Sequence, residues 1–149
     1  MNAAVQDTIE REIVVKAPQA RVYSAISDPD QITGWFPDAV EGTFHVGEQP
    51  ILDFGEDGKA RIYVVAARPN DYFAYRWVPG GGEVVDNVLA VPNTLVEFHI
   101  QDANGATKVT MKESGFASLP ADVAEAKFKD NVGGWDYMMD RLSKLLSQE

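Results

Sequence analysis

Cysteine is absent from the chain. That excludes disulfides, a thiol nucleophile and any thiolate metal site. It also fits a reducing compartment, so the expected location is the cytoplasm. Histidine is scarce, with only His45 and His99. Positive charge is scarce too: 13 basic residues stand against 23 acidic ones, a net charge of −10. Nucleic acid is excluded as a partner, because its recognition needs clustered cations. The acidity reads instead as a solubilising surface. No apolar run is long enough to span a membrane. Residues 1–7 lack the basic and apolar blocks of a cleavable leader and are expected to form a flexible N-terminus. There is no internal repeat, low-complexity tract or linker. The 149 residues are therefore expected to form one soluble domain, 1–149, large enough to bury a core without covalent staples.

What is present is ordered punctuation. Residues 8–16 alternate, with Ile9, Ile13 and Val15 on one side and Glu10 and Glu12 on the other, the pattern of a half-buried strand. Pro18 opens a short helix with Val22, Ala25 and Ile26 as its apolar stripe, since proline suits a helix start. Asp28-Pro29 caps and starts a second short helix that carries Ile32, Trp35 and Phe36. Six alternating runs follow, at 40–46, 51–54, 59–67, 72–78, 94–102 and 107–114, with turn residues between them as in an antiparallel meander. A long connection, 78–94, contains Gly80-Gly81-Gly82 and several valines. Loops of that length are often functional, and this one is expected to be a flap over one end of the sheet. Finally, Phe128, Val132, Trp135, Met139, Leu142 and Leu146 recur at steps of four and three. They form one face of a long helix from about residue 120 to 147, with Ser118 as its candidate cap.

The run from Val15 to Phe36 resembles the opening of the activator of heat-shock-protein-90 ATPase homologue family. Pro69 to Trp77 looks like that family's proline turn and the strand after it. Ser114-Gly115-Phe116 is similar to the end of its last strand, and Gly134-Trp135 with Met139, Leu142 and Leu146 to its C-terminal helix. The ordered set covers nearly the whole chain. The resemblance implies an α+β helix-grip fold of the START and birch-pollen-allergen-like (SRPBCC) superfamily: strand, two short helices, six strands and a long gripped helix. It also implies that the chain either binds lipid-like or polyketide-like molecules, acts as a cyclase or dehydratase, or docks onto a chaperone or other protein. Fold alone does not choose among them.

A helix laid across a curved sheet can leave a cavity, and strand alternation indicates its lining. Phe44 and Val46, then Phe54, then Tyr63, Val65 and Ala67 count to one side. Phe73, Tyr75 and Trp77 join them, with Val96, Phe98 and Ile100, and with Val109 and Met111. The helix adds Phe128, Val132, Trp135 and Met139, with Met138 at the margin; Trp35 and Phe36 lie close by. Aromatic rings and thioethers suit an adaptable apolar pocket, although each of these residues taken singly also suits a solid core. Gly133-Gly134 inside the helix costs about 1 kcal/mol per glycine relative to alanine. The expected compensation is close packing against the sheet or loops, or otherwise a bend that makes room for a ligand.

Three charged residues count inward as well: Arg11, Arg61 and Glu113. Buried charges need partners. The expectation is that Arg61 and Glu113 are neighbours or share a ligand's polar group, and that Arg61 holds the polar or acidic end of an amphipathic ligand. Relatives often carry histidine at the position of Glu113, so any histidine role is in doubt here. Catalytic and metal sites find little support. His45 and His99 count outward on separate strands, and no glycine-rich phosphate loop precedes a helix. The leading expectation is a binding module for a small, mostly apolar molecule, without cofactor. A protein-interaction domain comes second, and an enzyme using Glu113 or Tyr63 as acid or base third.

Overall fold

A computed structural model describes residues 7–79 and 84–147. Seven strands form one antiparallel sheet in the order β1-β7-β6-β5-β4-β3-β2. They are β1 (Thr8–Val15), β2 (Ala39–Glu41), β3 (Ile51–Asp53), β4 (Lys59–Arg68), β5 (Tyr72–Trp77), β6 (Thr94–Ala103) and β7 (Ala106–Ser114). Two short helices, α1 (Gln19–Ser27) and α2 (Pro29–Ile32), connect β1 to β2, and α3 (Ala121–Leu146) closes the chain. The sheet is curved and α3 lies on its inner face, so the helix-grip expectation holds. Among the described residues, no helix is long and apolar enough to cross a membrane.

Local chemistry explains most boundaries. The Asp28 side chain accepts a hydrogen bond from the Asp30 backbone N–H at 2.9 Å, with Pro29 in the first helical position, a combination that starts a helix cheaply. α2 is shorter than expected and stops at Ile32. Trp35 and Phe36 lie beyond it in turns, both donating backbone N–H to the Ile32 carbonyl. The strand expected over 40–46 is cut to three residues at Gly42, where φ is +114°. Phe44 is still buried, but Val46 is exposed. α3 begins after Pro120 without a side-chain cap; Ser118 instead donates to the Gly115 carbonyl inside a 3-10 turn. On α3, Trp135, Met139, Leu142 and Leu146 are buried, while Phe128 and Val132 pack at the margin of the same core.

β4 departs most from simple alternation. Its pairing with β5 shifts register between Val64 and Ala66. A bulge of this kind inserts one residue, so alternation counted across it slips by one. Ala67 reaches the core as expected, but before the bulge Ile62 and Val64 are the buried residues. Arg61, Tyr63 and Val65 therefore point away from α3, contrary to expectation.

Candidate functional site

Glu113 is the penultimate residue of β7 and is completely buried. Four donors surround its carboxylate. Oε2 accepts from Trp77 Nε1 at 2.8 Å and from Thr94 Oγ1 at 2.5 Å. Oε1 accepts from Asn131 Nδ2 at 2.8 Å and from Trp135 Nε1 at 2.7 Å. No cation is among them. An ionised carboxylate offers about four acceptor positions, and here each is taken by a neutral donor. The indole and amide N–H groups can only donate, so both oxygens of Glu113 act as acceptors toward them.

Sheet register explains how the residues meet. Trp77 pairs with Thr94, and Val96 with Glu113, so Trp77, Thr94 and Glu113 fall together on the inner face. α3 supplies Asn131 and Trp135 one helical turn apart, a spacing that places both on one side. The buried Tyr75 hydroxyl has no hydrogen-bond partner among the described residues. Its acidity is pushed well below that of an ordinary tyrosine, first by burial and then by the negative charge of Glu113, so its pKa is raised.

Three of these donors also form a wall. Trp77, Trp135 and Asn131 line a pocket of about 440 Å³ together with Phe36, Phe54, Gly134 and Met138. The rings make one continuous surface. Phe36 stacks on Trp135 at 5.4 Å between centroids and meets Phe54 edge-on at 5.1 Å. The Trp77 and Trp135 centroids are 6.1 Å apart. The indole N–H groups are bonded inward to Glu113 while the same residues border the pocket. Glu113 thus holds three pocket residues in orientation without itself lining the pocket.

The rim carries Asp57, Lys59 and Asp130. Lys59 is bridged to Glu41 at 3.0 Å, and Glu41 and Asp53 hold its pKa above the ordinary lysine value. Its charge is therefore largely answered from within the protein, and the rim is net acidic.

The expected site residues divide into three groups. Phe36, Phe54, Trp77 and Trp135 do line the pocket. Trp35, Phe44, Tyr75, Phe98, Met111 and Met139 are buried in the packed core, with Phe128 and Val132 against it. Arg61 and Tyr63 lie on the other face of the sheet. Arg61 is not a neighbour of Glu113. Its Nε donates to the Val85 carbonyl and its Nη1 to the Gln49 carbonyl, both at 2.7 Å. Gln49 in turn accepts from the Val88 N–H and donates to Asn87. Arg61 therefore straps the later part of the 78–94 connection to the sheet. Gly80, Gly81 and Gly82, on which the flap expectation partly rests, lie outside the described residues. Arg11 does face inward and bridges to Asp136 of α3 at 2.5 Å. Both histidines face solvent, as expected.

Sequence reasoning missed Asn131 and Thr94, and it singled out Gly134 chiefly as a close-packing position. A polar residue four positions before Trp135 on the apolar face of a helix was the available signal for Asn131. The close-packing explanation of the helical glycines does not hold: a Cβ added at Gly133 or Gly134 would meet no heavy atom within 4 Å. Among the described residues, no group of three or more His, Cys, Asp or Glu is placed to hold a metal.

The model of the family described as Activator of Hsp90 ATPase homolog 1-like protein matches residues 16–147. No functionally curated protein matches the chain. Solved structures do. A protein from Mesorhizobium loti superposes with a TM-score of 0.77 at 20% identity, covering 95% of this chain and 97% of that one. The Aha1 dimer from Colwellia psychrerythraea gives 0.75 at 18% identity, with coverages of 95% and 97%. DynU16, from the dynemicin biosynthetic locus, gives 0.75 at 24% identity over 95% of this chain, which spans only 47% of DynU16. At these identities the likeness is one of fold.

Proposed function

The chain belongs to the Activator of Hsp90 ATPase homolog 1-like family, and from that premise we propose that it binds a small, mostly apolar molecule in the pocket between the inner sheet face and α3. One observation carries the reading: a cavity of about 440 Å³ is walled by four aromatic rings, two of them held in orientation by a buried carboxylate. Ligand sites typically measure about 300–1,000 Å³ and combine apolar walls with a few placed polar groups. The polar groups here are Asn131 and the acidic rim. An acidic ligand is disfavoured, since Asp57 and Asp130 stand at the mouth and Arg61 is on the far side of the sheet. The chain then serves as a carrier or sensor. A general acid or base role for Glu113 is not favoured, because its acceptor positions are filled and wall residues stand between it and the cavity. Among the described residues, the exposed large apolar ones are Val14, Val46, Val65, Leu89 and Tyr137. They sit on five different segments, which lends little support to a protein-docking face.

The test is a matched pair of fluorescent probes, N-phenyl-naphthylamine and its sulfonated analogue, with tryptophan emission followed at the same time. The neutral probe is expected to bind with an affinity on the order of micromolar and to change the emission of Trp77 and Trp135, and the sulfonate is expected to bind more weakly. Failure of the neutral probe and of other neutral apolar probes to bind would remove the carrier reading.

A further inference from the structure

Gly134 stands in the middle of a 26-residue helix, where glycine is a poor choice. Glycine is retained in such a place for one of two packing reasons. Either a neighbouring backbone comes too close for a Cβ, or the space a side chain would fill is needed for something else. The chain contains an example of the first at Gly34, where a Cβ would stand 3.3 Å from the Gln31 carbonyl oxygen and 3.3 Å from Leu145. Gly134 is the opposite case. A Cβ there meets nothing within 4 Å, and the open space beside it is the pocket that Gly134 itself lines. Its φ is not in the left-handed region, so backbone conformation does not demand glycine. Gly133 shares the open surroundings but does not line the pocket.

We propose that Gly134 is the specificity-determining gate of the pocket, and that its bare backbone admits a flat aromatic ligand which a long or branched side chain there would exclude. The inference rests on the binding role proposed above. Gly134 follows the pocket residue Asn131 by one helical turn and adjoins Trp135, so the α3 side of the pocket is an amide, an indole and unadorned backbone. A flat ring can lie against such backbone while its faces meet Trp77, Phe54 and Phe36. A branched side chain at 134 would occupy that place, because residues one turn apart on a helix project over the same patch. The cost to the free protein is a weaker helix, and the return is room.

The test compares four variants of the full chain, Gly134→Ala, Gly134→Leu, Gly133→Ala and Gly133→Leu, with N-phenyl-naphthylamine as the flat probe. Both alanine variants are expected to raise the melting midpoint by roughly 2–4 °C, the scale of one helix-propensity increment in a chain of this size. Gly134→Leu is expected to weaken probe binding by roughly tenfold or more, the scale of forcing added bulk into an occupied site. Gly133→Leu is expected to bind like the unaltered protein, and a rise in melting midpoint for Gly134→Leu would show that its loss of binding is not a loss of fold. Equal binding by both leucine variants and the unaltered protein would overturn the gate and leave the pocket reading standing. Equal weakening by both would also overturn it, since the effect would then belong to the helix as a whole. No binding by the unaltered protein would overturn the gate and the binding role together.

Discussion

The groove under α3 has a filled part and an open part, and both are built largely from aromatic residues. In the filled part Trp35 is fully buried, its indole N–H donates to the Ala25 carbonyl at 2.8 Å, and Phe98 meets its ring edge-on at 6.0 Å. In the open part Trp77 and Trp135 donate to Glu113 and border a cavity. The difference lies in what satisfies the indole N–H. A backbone carbonyl of a neighbouring helix is part of the scaffold and adds no buried charge. A buried carboxylate orients two indoles at once but brings a charge that must itself be satisfied, and Asn131 and Thr94 complete that set. The filled part is organised by packing, and the open part by a polar knot behind an apolar wall.

The largest way to break this contrast is at its junction. Trp135→Ala removes a ring that contacts Phe36, Trp77 and Phe98 and one of the four donors to Glu113. It is expected to cost about 3–5 kcal/mol in a denaturant melt, as other large-to-small core changes do. A cost below about 1 kcal/mol would mean that the knot and the core are not joined through this residue. Glu113→Gln is expected to come next, at about 1–3 kcal/mol. Whichever carboxylate oxygen the glutamine NH2 replaces, it faces an indole N–H that can only donate, so Trp77 or Trp135 loses its partner. A change in tryptophan emission is expected along with the loss of stability, because an indole is released from its orientation. A stability change under about 0.5 kcal/mol would show that the four hydrogen bonds do not act as a saturated set. The smallest effect is expected for Tyr75→Phe, within about 1 kcal/mol of the unaltered protein. That hydroxyl is buried without a partner among the described residues, so its removal forfeits no hydrogen bond. A loss above about 2 kcal/mol would show that the hydroxyl is bound after all and belongs to the knot.

Much of this molecule was legible as pattern. The order of elements, the start of α2 at Asp28-Pro29 and the buried face of α3 all follow from local rules that act within a few residues. The inward position of Glu113 was legible too, because β7 alternates without interruption from Ala106 to Ser114. The Arg61 expectation failed for a specific reason. Counting back from Ala67 crosses the irregularity between Val64 and Ala66, and one inserted residue turns every side chain before it to the other face. Nothing in the run Ile62-Tyr63-Val64-Val65-Ala66 marks that insertion, since both faces of the run are apolar enough to be core.

The sequence by itself determined the family, the succession of strands and helices, and which residues of α3 meet the sheet, because periodicity is a property of neighbours along the chain. Only the tertiary structure decided which aromatics fill space and which border it. A void is what remains after side chains from distant segments have packed, and no single segment carries that sum. The same holds for the four donors on Glu113. Each of Trp77, Thr94, Asn131 and Trp135 is an ordinary residue in its own element, and they became one site when the pairing of β5, β6 and β7 and the placement of α3 brought them within hydrogen-bonding distance of one carboxylate.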